Sequence, residues 1–403
     1  MKLERKQSKD SEKRETVSTP FLSEIGPLLF LVAIFLLNFL SRIILSPLMP
    51  TIEKDLKLRH DEAGALFFII SLGYCIMVIF SGFISSRLNH RRTILLSSVT
   101  VSGALFIVGL SPHPWEIRFG LFILGLAAGL YLPSSIAMII ELVSSKNLGK
   151  AIAIHELAPN LAFVIAPFLA EGLLGLCSWR GILILLGVAS MLTGIVFAIW
   201  GRGGTFPGET PNTKILRSIL VEPSFWIMMV LWTLGLGATV GVYSMIPLYL
   251  VSERGMELTW ANTLLGSSRV LALGMTFLAG WVTDRFGAKP TLKAVFLTTG
   301  LITFMFGVVH GPWIVLFVFL QPMVGTCFYS PGFTALSRMG SQSTKNVSLS
   351  LTVPVGLLVG GGVIPAGIGV IGEWGSFSLG FILLGGLFFT GVFLVRYLKF
   401  DDH

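Results

Sequence analysis

The chain has 403 residues, of which 53% are apolar and 12% charged, with a mean hydropathy of +0.82. A soluble domain carries roughly twice that share of charge, so a soluble fold is excluded and a nucleic-acid partner with it, despite the net charge of +8. Cys75, Cys177 and Cys327 lie far apart with no paired spacing; Cys75 and Cys327 fall inside apolar runs and read as packing residues rather than a disulfide or metal site.

Residues 1–20 form a mixed-charge tail, predicted to be disordered and cytoplasmic. The acids Glu4, Asp10, Glu12 and Glu15 among its bases argue against a signal peptide. About twelve apolar runs follow, near 27–49, 63–86, 93–111, 116–142, 151–174, 179–200, 223–250, 261–283, 292–311, 313–337, 347–371 and 376–398. Each is long enough to cross about 30 Å of hydrocarbon as a helix. The stretch 201–222 holds Gly201, Gly203, Gly204, Pro207, Gly208 and Pro211, so it reads as a cytoplasmic linker. The expected organisation is a tail (1–20), a six-helix bundle (21–200), the linker (201–222) and a second six-helix bundle (223–400). With the N-terminus inside, 21 Lys and Arg fall on the cytoplasmic side against 6 outside. Positive charge is retained inside, so a multi-pass membrane protein with both termini cytoplasmic is predicted, in a bacterial inner membrane.

An ionisable group inside lipid costs about 2.5–3.5 kcal/mol on insertion scales, which makes the interior charges informative. Arg42 lies some way into the first run and Arg269 into the eighth, with no acidic residue within a helical turn of Arg269. A buried cation without a fixed mate needs a counter-ion, and an anionic substrate is the economical one. One anion between Arg42 and Arg269 would couple the two halves. His155 and Glu156, adjacent in the fifth run, are candidates for proton coupling, because burial favours a protonated carboxyl. Asn38, Tyr131, Tyr243 and Tyr329 are candidates to donate hydrogen bonds to a substrate; each could equally satisfy a backbone carbonyl. Asn160, Trp232 and Gln321 belong to the same class. The eleventh run, with Pro354, Gly356, Gly360, Gly361, Gly362, Pro365, Gly367 and Gly369, is expected to pack closely or bend.

Between the eighth and ninth runs stands Gly280-Trp281-Val282-Thr283-Asp284-Arg285-Phe286-Gly287-Ala288-Lys289, and a degraded copy, Gly82 to Arg91, lies 198 residues upstream. Gly280 would let two helices approach, Asp284 would cap or pair at a helix terminus, and Arg285 and Lys289 would keep the loop cytoplasmic. The spacing G-x-x-x-D-R-x-G-x-K resembles the loop signature of the major facilitator superfamily of secondary transporters. The first copy keeps Gly82, Arg87 and Arg91 but has Ser86 for Asp and Asn89 for Gly. The resemblance implies an all-α membrane fold of two pseudo-symmetric six-helix bundles, a central cavity and alternating access, with the two loops as gating elements.

Arg42 followed eight residues later by Pro50 resembles helix 1 of anion-transporting branches, including organophosphate antiporters and anion:cation symporters. The resemblance implies that Arg42 faces the cavity and binds phosphate or carboxylate. A helix-8 Arg is similar to that of monocarboxylate and oxalate transporters. Arg118, before Phe119 and Gly120, resembles a helix-4 arginine motif linked to proton coupling. Trp179-Arg180-Gly181 resembles the usual start of helix 6. Ala166-Pro167 departs from the family's Gly-Pro antiporter motif, which weakens a drug-antiport reading.

No Walker loop, His-x-x-x-His, G-x-S-x-G or carboxylate pair is present, so the chain does not read as an enzyme and no cofactor is expected. The leading expectation is a monomeric secondary transporter of a small carboxylate-like anion, with proton symport as one coupling mode. The rivals are a multidrug/proton antiporter exporting lipophilic compounds and a membrane sensor that moves nothing.

Overall fold

The computed structural model describes residues 21–209, 219–338 and 342–398, and among them there are helices and connections but no strand. Twelve helices are long and apolar enough to cross a membrane. They are α1 (Ile25–Leu56), α2 (His60–Leu88), α3 (His90–Leu110), α4 (Pro114–Leu142), α5 (Leu148–Leu174), α6 (Trp179–Trp200), α7 (Pro223–Ser252), α8 (Leu258–Phe286), α9 (Ala288–Val308), α10 (Gly311–Ser337), α11 (Ser350–Glu373) and α12 (Phe377–Tyr397). Helix is the form in which such a run satisfies its own backbone in hydrocarbon. All twelve expected runs are present, and α2 starts three residues early because its first turn is capped. There the Glu62 carboxylate accepts the Arg59 backbone N–H at 3.2 Å.

An even number of crossings returns the described chain to the face where it began. That face also carries the α2–α3 and α8–α9 loops and is called the loop face below. The helices form two six-helix halves, α1–α6 and α7–α12.

Several helices break in mid-crossing. α1 breaks at Ile44, α4 at Leu130, α5 at Glu156 and α10 at Cys327–Phe328. α7 and α11 carry π-turns at Gly237–Gly241 and Val359–Val363. The α4 and α10 breaks are 198 residues apart, like the two loops. A break frees carbonyls that lipid cannot satisfy. In α7, Gln321 Nε2 donates to the Ala238 carbonyl at 2.7 Å and Arg269 Nη2 to the Thr239 carbonyl at 3.3 Å.

The glycines of α11 serve close packing on both sides. A Cβ at Gly360 would lie 2.6 Å from the Thr233 carbonyl of α7, and one at Gly362 3.1 Å from Phe68 Cα of α2. Gly64 of α2 faces α11 in the same way, 2.7 Å from the Pro365 carbonyl. α2 and α11 therefore meet backbone to backbone across the two halves. The small residues of α4 pack on α2, where a Cβ at Gly129 would lie 2.7 Å from the Tyr74 carbonyl.

The two loops share a backbone conformation and little else. Asn89 has φ 74°, ψ 164°, and Gly287, 198 residues later, has φ 87°, ψ 162°. The first loop is covered by the start of the linker. Arg91 N–H donates to the Gly204 carbonyl at 2.8 Å, Gly208 N–H to the Ser85 carbonyl at 3.0 Å, and Gly204 N–H to the Glu141 carboxylate at 2.5 Å. In the second loop Asp284 and Arg285 are exposed, and Arg285 lies 5.9 Å from each of the Trp281 and Phe286 rings. The close approach expected at Gly280 is not there: a Cβ would meet nothing nearer than Ser330 Oγ at 3.8 Å. Tightly packed glycines occur where two helix backbones cross in the membrane, as at Gly64, Gly129 and Gly360, and where the linker start covers the first loop, as at Gly208, but not at this loop.

Candidate functional site

Both interior arginines are buried, Arg42 9% and Arg269 4% exposed. Among the described residues no carboxylate lies within ion-pair distance of either, and the Nε of each has no hydrogen-bond partner. Aromatic faces surround them instead. The Arg42 guanidinium carbon lies 4.9 Å from the Phe39 ring centre and 4.6 Å from that of Tyr74. The Arg269 carbon lies 4.9 Å from Phe163 and 4.7 Å from Tyr243. Phe39 and Phe163 touch edge to face at 5.3 Å, and Phe163 meets Tyr243 at 4.8 Å. The two arginines of opposite halves are therefore joined by a single Phe–Phe contact. Ring quadrupoles attract a desolvated cation by about 2 kcal/mol each at best, which offsets part of the burial cost but supplies no counter-charge.

Around Arg269 lies a small recess, lined by Asn160, Phe163, Thr239, Thr326 and Tyr329 among others. The Tyr329 hydroxyl is 3.0 Å from Thr239 Oγ1, and Trp232 packs against Tyr329 at 6.3 Å. The buried Tyr243 hydroxyl has no partner among the described residues. Arg269, Tyr243, Tyr329 and Arg42 are thus assembled by four different helices, α8, α7, α10 and α1.

A second cluster sits at the α5 break. His155 is fully buried and stacks on Phe35 at 4.5 Å, with planes 14° apart. Its Nε2 is 3.1 Å from the Tyr131 hydroxyl and its Nδ1 3.3 Å from Glu156 Oε1. Tyr131 donates its one proton to the Leu31 carbonyl at 2.5 Å, so it accepts from His155 Nε2–H. A neutral imidazole with its proton on Nε2 has none on Nδ1. The Nδ1–Oε1 contact then holds a proton only if His155 is an imidazolium or Glu156 a carboxylic acid. Glu156 itself is half exposed, and it lies within electrostatic range of the Tyr74, Tyr131 and Tyr329 hydroxyls.

The structure separates other residues from both clusters. Asn38 donates to Ser97 Oγ at 3.4 Å and lines a crevice with Ser98 and Ser190 that neither arginine lines. Tyr131 belongs with His155 and not with Arg269. Arg118 pairs with Glu62 at 2.6 Å, both partly exposed at the end opposite the loop face, far from His155 in the fold. Arg180 and Trp179 both bond Asp55 of α1, a tie that holds the start of α6. The residues that sequence reasoning passed over are Phe39, Phe163, Tyr74 and Thr239. One signal was available: Tyr131 and Tyr329 stand 198 residues apart, the spacing of the two loops.

Residues 31–353 match the sequence profile of the Major Facilitator Superfamily. The chain is 24% identical over 394 residues to a cis,cis-muconate transport protein of Acinetobacter baylyi, covering 92% of this chain and 93% of that one. It is 23% identical over 384 residues to the multidrug efflux protein YfmO of Bacillus subtilis, covering 89% of each. Its fold is similar to a crystal structure of a bacterial homolog of the human lysosomal transporter Spinster in an inward-facing, occupied conformation. The TM-score there is 0.76, at 17% identity and 95% coverage of both chains.

Proposed function

This chain belongs to the Major Facilitator Superfamily of membrane transporters, and on that premise we propose that it carries a small carboxylate-like organic anion by alternating access, coupled to protons. The observation that carries the reading is the pair of buried guanidiniums, one from each half, with no carboxylate among the described residues to neutralise either. Guanidinium holds carboxylate through two parallel N–H donors, and Arg42 and Arg269 each keep an unpaired Nε for it. The anion closes the seam between halves because it is attracted to both. Phe39 and Phe163 then form the wall it lies against, which favours a flat, conjugated acid over a bulky one. The similarity to a muconate transport protein supports the same class of cargo.

Glu156 and His155 are the groups proposed to bind the coupling proton, handed inward along Tyr131. The charge asymmetry of the loops supports both chain ends being cytoplasmic; a bacterial inner membrane and a single chain as the working unit are part of the same proposal. Export of lipophilic compounds is the rival that the efflux relative keeps in view. Against it, the carboxylate near this site, Glu156, is already engaged by His155.

The test is ligand-dependent thermal stabilisation of the purified chain with conjugated dicarboxylates, benzoate, phosphate esters and a lipophilic cation. Stabilisation by carboxylates that is lost in both Arg42→Gln and Arg269→Gln supports the reading. Stabilisation by the cation alone, or carboxylate binding that survives both substitutions, overturns it.

A further inference from the structure

At the face opposite the loops, charge joins the two halves. The backbone N–H of His60, at the start of α2, donates to Glu373 Oε2 at the end of α11 across the seam, at 2.9 Å. Arg59 Nε pairs with the other oxygen of Glu373 at 3.3 Å. His60 Nδ1 lies 2.9 Å from Glu53 Oε1 of α1. The Phe377 ring of α12 closes over the imidazole at 4.8 Å. Deeper along the same seam, Ser46 Oγ donates to the Tyr243 carbonyl at 2.8 Å and Asn262 Nδ2 to that of Pro47 at 3.3 Å. These contacts must part for this face to open.

We infer that His60 and Glu53 form a proton-binding site that latches this face shut, with Glu373 as the cross-seam partner. Glu53 and Glu373 belong to opposite halves and feel each other's charge. With His60 neutral, two carboxylates face each other at the seam, offset only by Arg59, which also serves Asp61 at 3.3 Å. A proton on His60 places a cation between them. Of the other carboxylates nearby, Glu62 is held by Arg118 and Asp55 by Arg180, and Glu253, just after α7, accepts the Ser378 N–H at the start of α12 at 3.1 Å. Lys54 and Lys57, beside Glu53, are exposed to solvent. α12 contributes a ring and no charge. Like charges at the seam disfavour closure, and a proton placed between them relieves that repulsion. By linkage, acid then favours closure. Histidine is the side chain suited to such a switch near neutral pH. The inference rests on alternating access but not on the identity of the cargo.

The experiment is a pH series of electron–electron distance measurements on the full chain in lipid nanodiscs, without substrate. Spin labels replace Lys54 and Trp374, both exposed and on opposite halves, with the three native cysteines changed to Ala. The short-distance population is expected to gain about threefold or more over the long one between about pH 8 and about pH 5.5. His60→Gln should abolish that response, and Glu53→Gln should keep the short distance at both pH values. Glu373→Gln, which leaves His60 in place, should also flatten the response and covers the case in which His60→Gln fails to fold. A parent protein whose distances ignore pH, or a Glu373→Gln or His60→Gln protein that responds like the parent, overturns the latch. Anion binding is read separately, so loss of one idea does not remove the other.

Discussion

Tyr131 and Tyr329 occupy matching places in the two halves, each the first residue of the helix that resumes after a mid-membrane break. Their surroundings differ. Tyr131 bridges the Leu31 carbonyl and His155, in a cluster whose third member is a carboxylate. Tyr329 meets Thr239 beside Arg269, in a cluster built around a guanidinium. One architecture has been repeated, but on the proposed reading the proton groups His155 and Glu156 lie in the first half only, while the anion is held by one cation from each half, Arg42 and Arg269. In such a transporter the proton would change the charge of one half alone and the anion would touch both, so the two ligands would bias differently how the halves meet.

The sharpest way to break that comparison is to exchange charge for neutrality in each half. Arg269→Gln should weaken anion binding by about 100-fold, since a charged hydrogen-bonded contact is worth about 2–5 kcal/mol when one partner is removed. Isothermal titration at constant pH measures it, and Glu156→Gln should leave that affinity within about threefold. Next in size, Glu156→Gln should abolish accumulation driven by a pH gradient in proteoliposomes while leaving anion exchange at equal pH intact. Accumulation that persists would take the proton role away from the first half.

The tyrosines themselves give a smaller and more discriminating test. Tyr329→Phe should cost about fivefold in anion affinity, the value of one hydrogen bond of about 1 kcal/mol. Tyr131→Phe should leave affinity unchanged at saturating proton concentration and move the pH profile of transport. Equal effects in both variants would mean that the halves share one function.

The smallest effect concerns the loops. Asn89 adopts a backbone conformation that is almost confined to glycine and costs about 1–3 kcal/mol. Its side chain returns part of that by accepting the Arg92 N–H at 2.9 Å, capping α3. Replacing such a cap by Gly loses only a few tenths of a kcal/mol. Asn89→Gly should therefore stabilise the protein by about 1 kcal/mol, read as a raised midpoint of thermal unfolding. Gly287→Ala should destabilise it by a similar amount, because a Cβ is strained at φ 87°.

Much of the fold was legible in the chain alone. Twelve apolar runs and two loops at half-chain distance require twelve crossings and an internal repeat, since lipid admits a helix wherever such a run occurs. The α2–α11 approach was partly legible, because eight Gly and Pro residues in one run mark close packing or bending without naming the neighbour. Arg42 and Arg269 were legible as isolated cations in apolar sequence. Phe39 and Phe163 were not, since a phenylalanine in a membrane helix looks like any other lipid-facing or core residue. Tyr131 was assigned to the arginines because nothing in a linear reading measures its distance from His155.

By itself the sequence determined the crossings, the repeat and the stranding of two positive charges in oil, because each follows from the local cost of transferring a residue into hydrocarbon. Only the tertiary structure decided what surrounds those charges. It put aromatic faces and, among the described residues, no acid beside the arginines, a tyrosine beside His155, and Glu373 across from His60. Those neighbours come from helices up to 313 residues apart, and which side chains meet across such a separation is fixed by packing and not by any property of the residues taken one at a time.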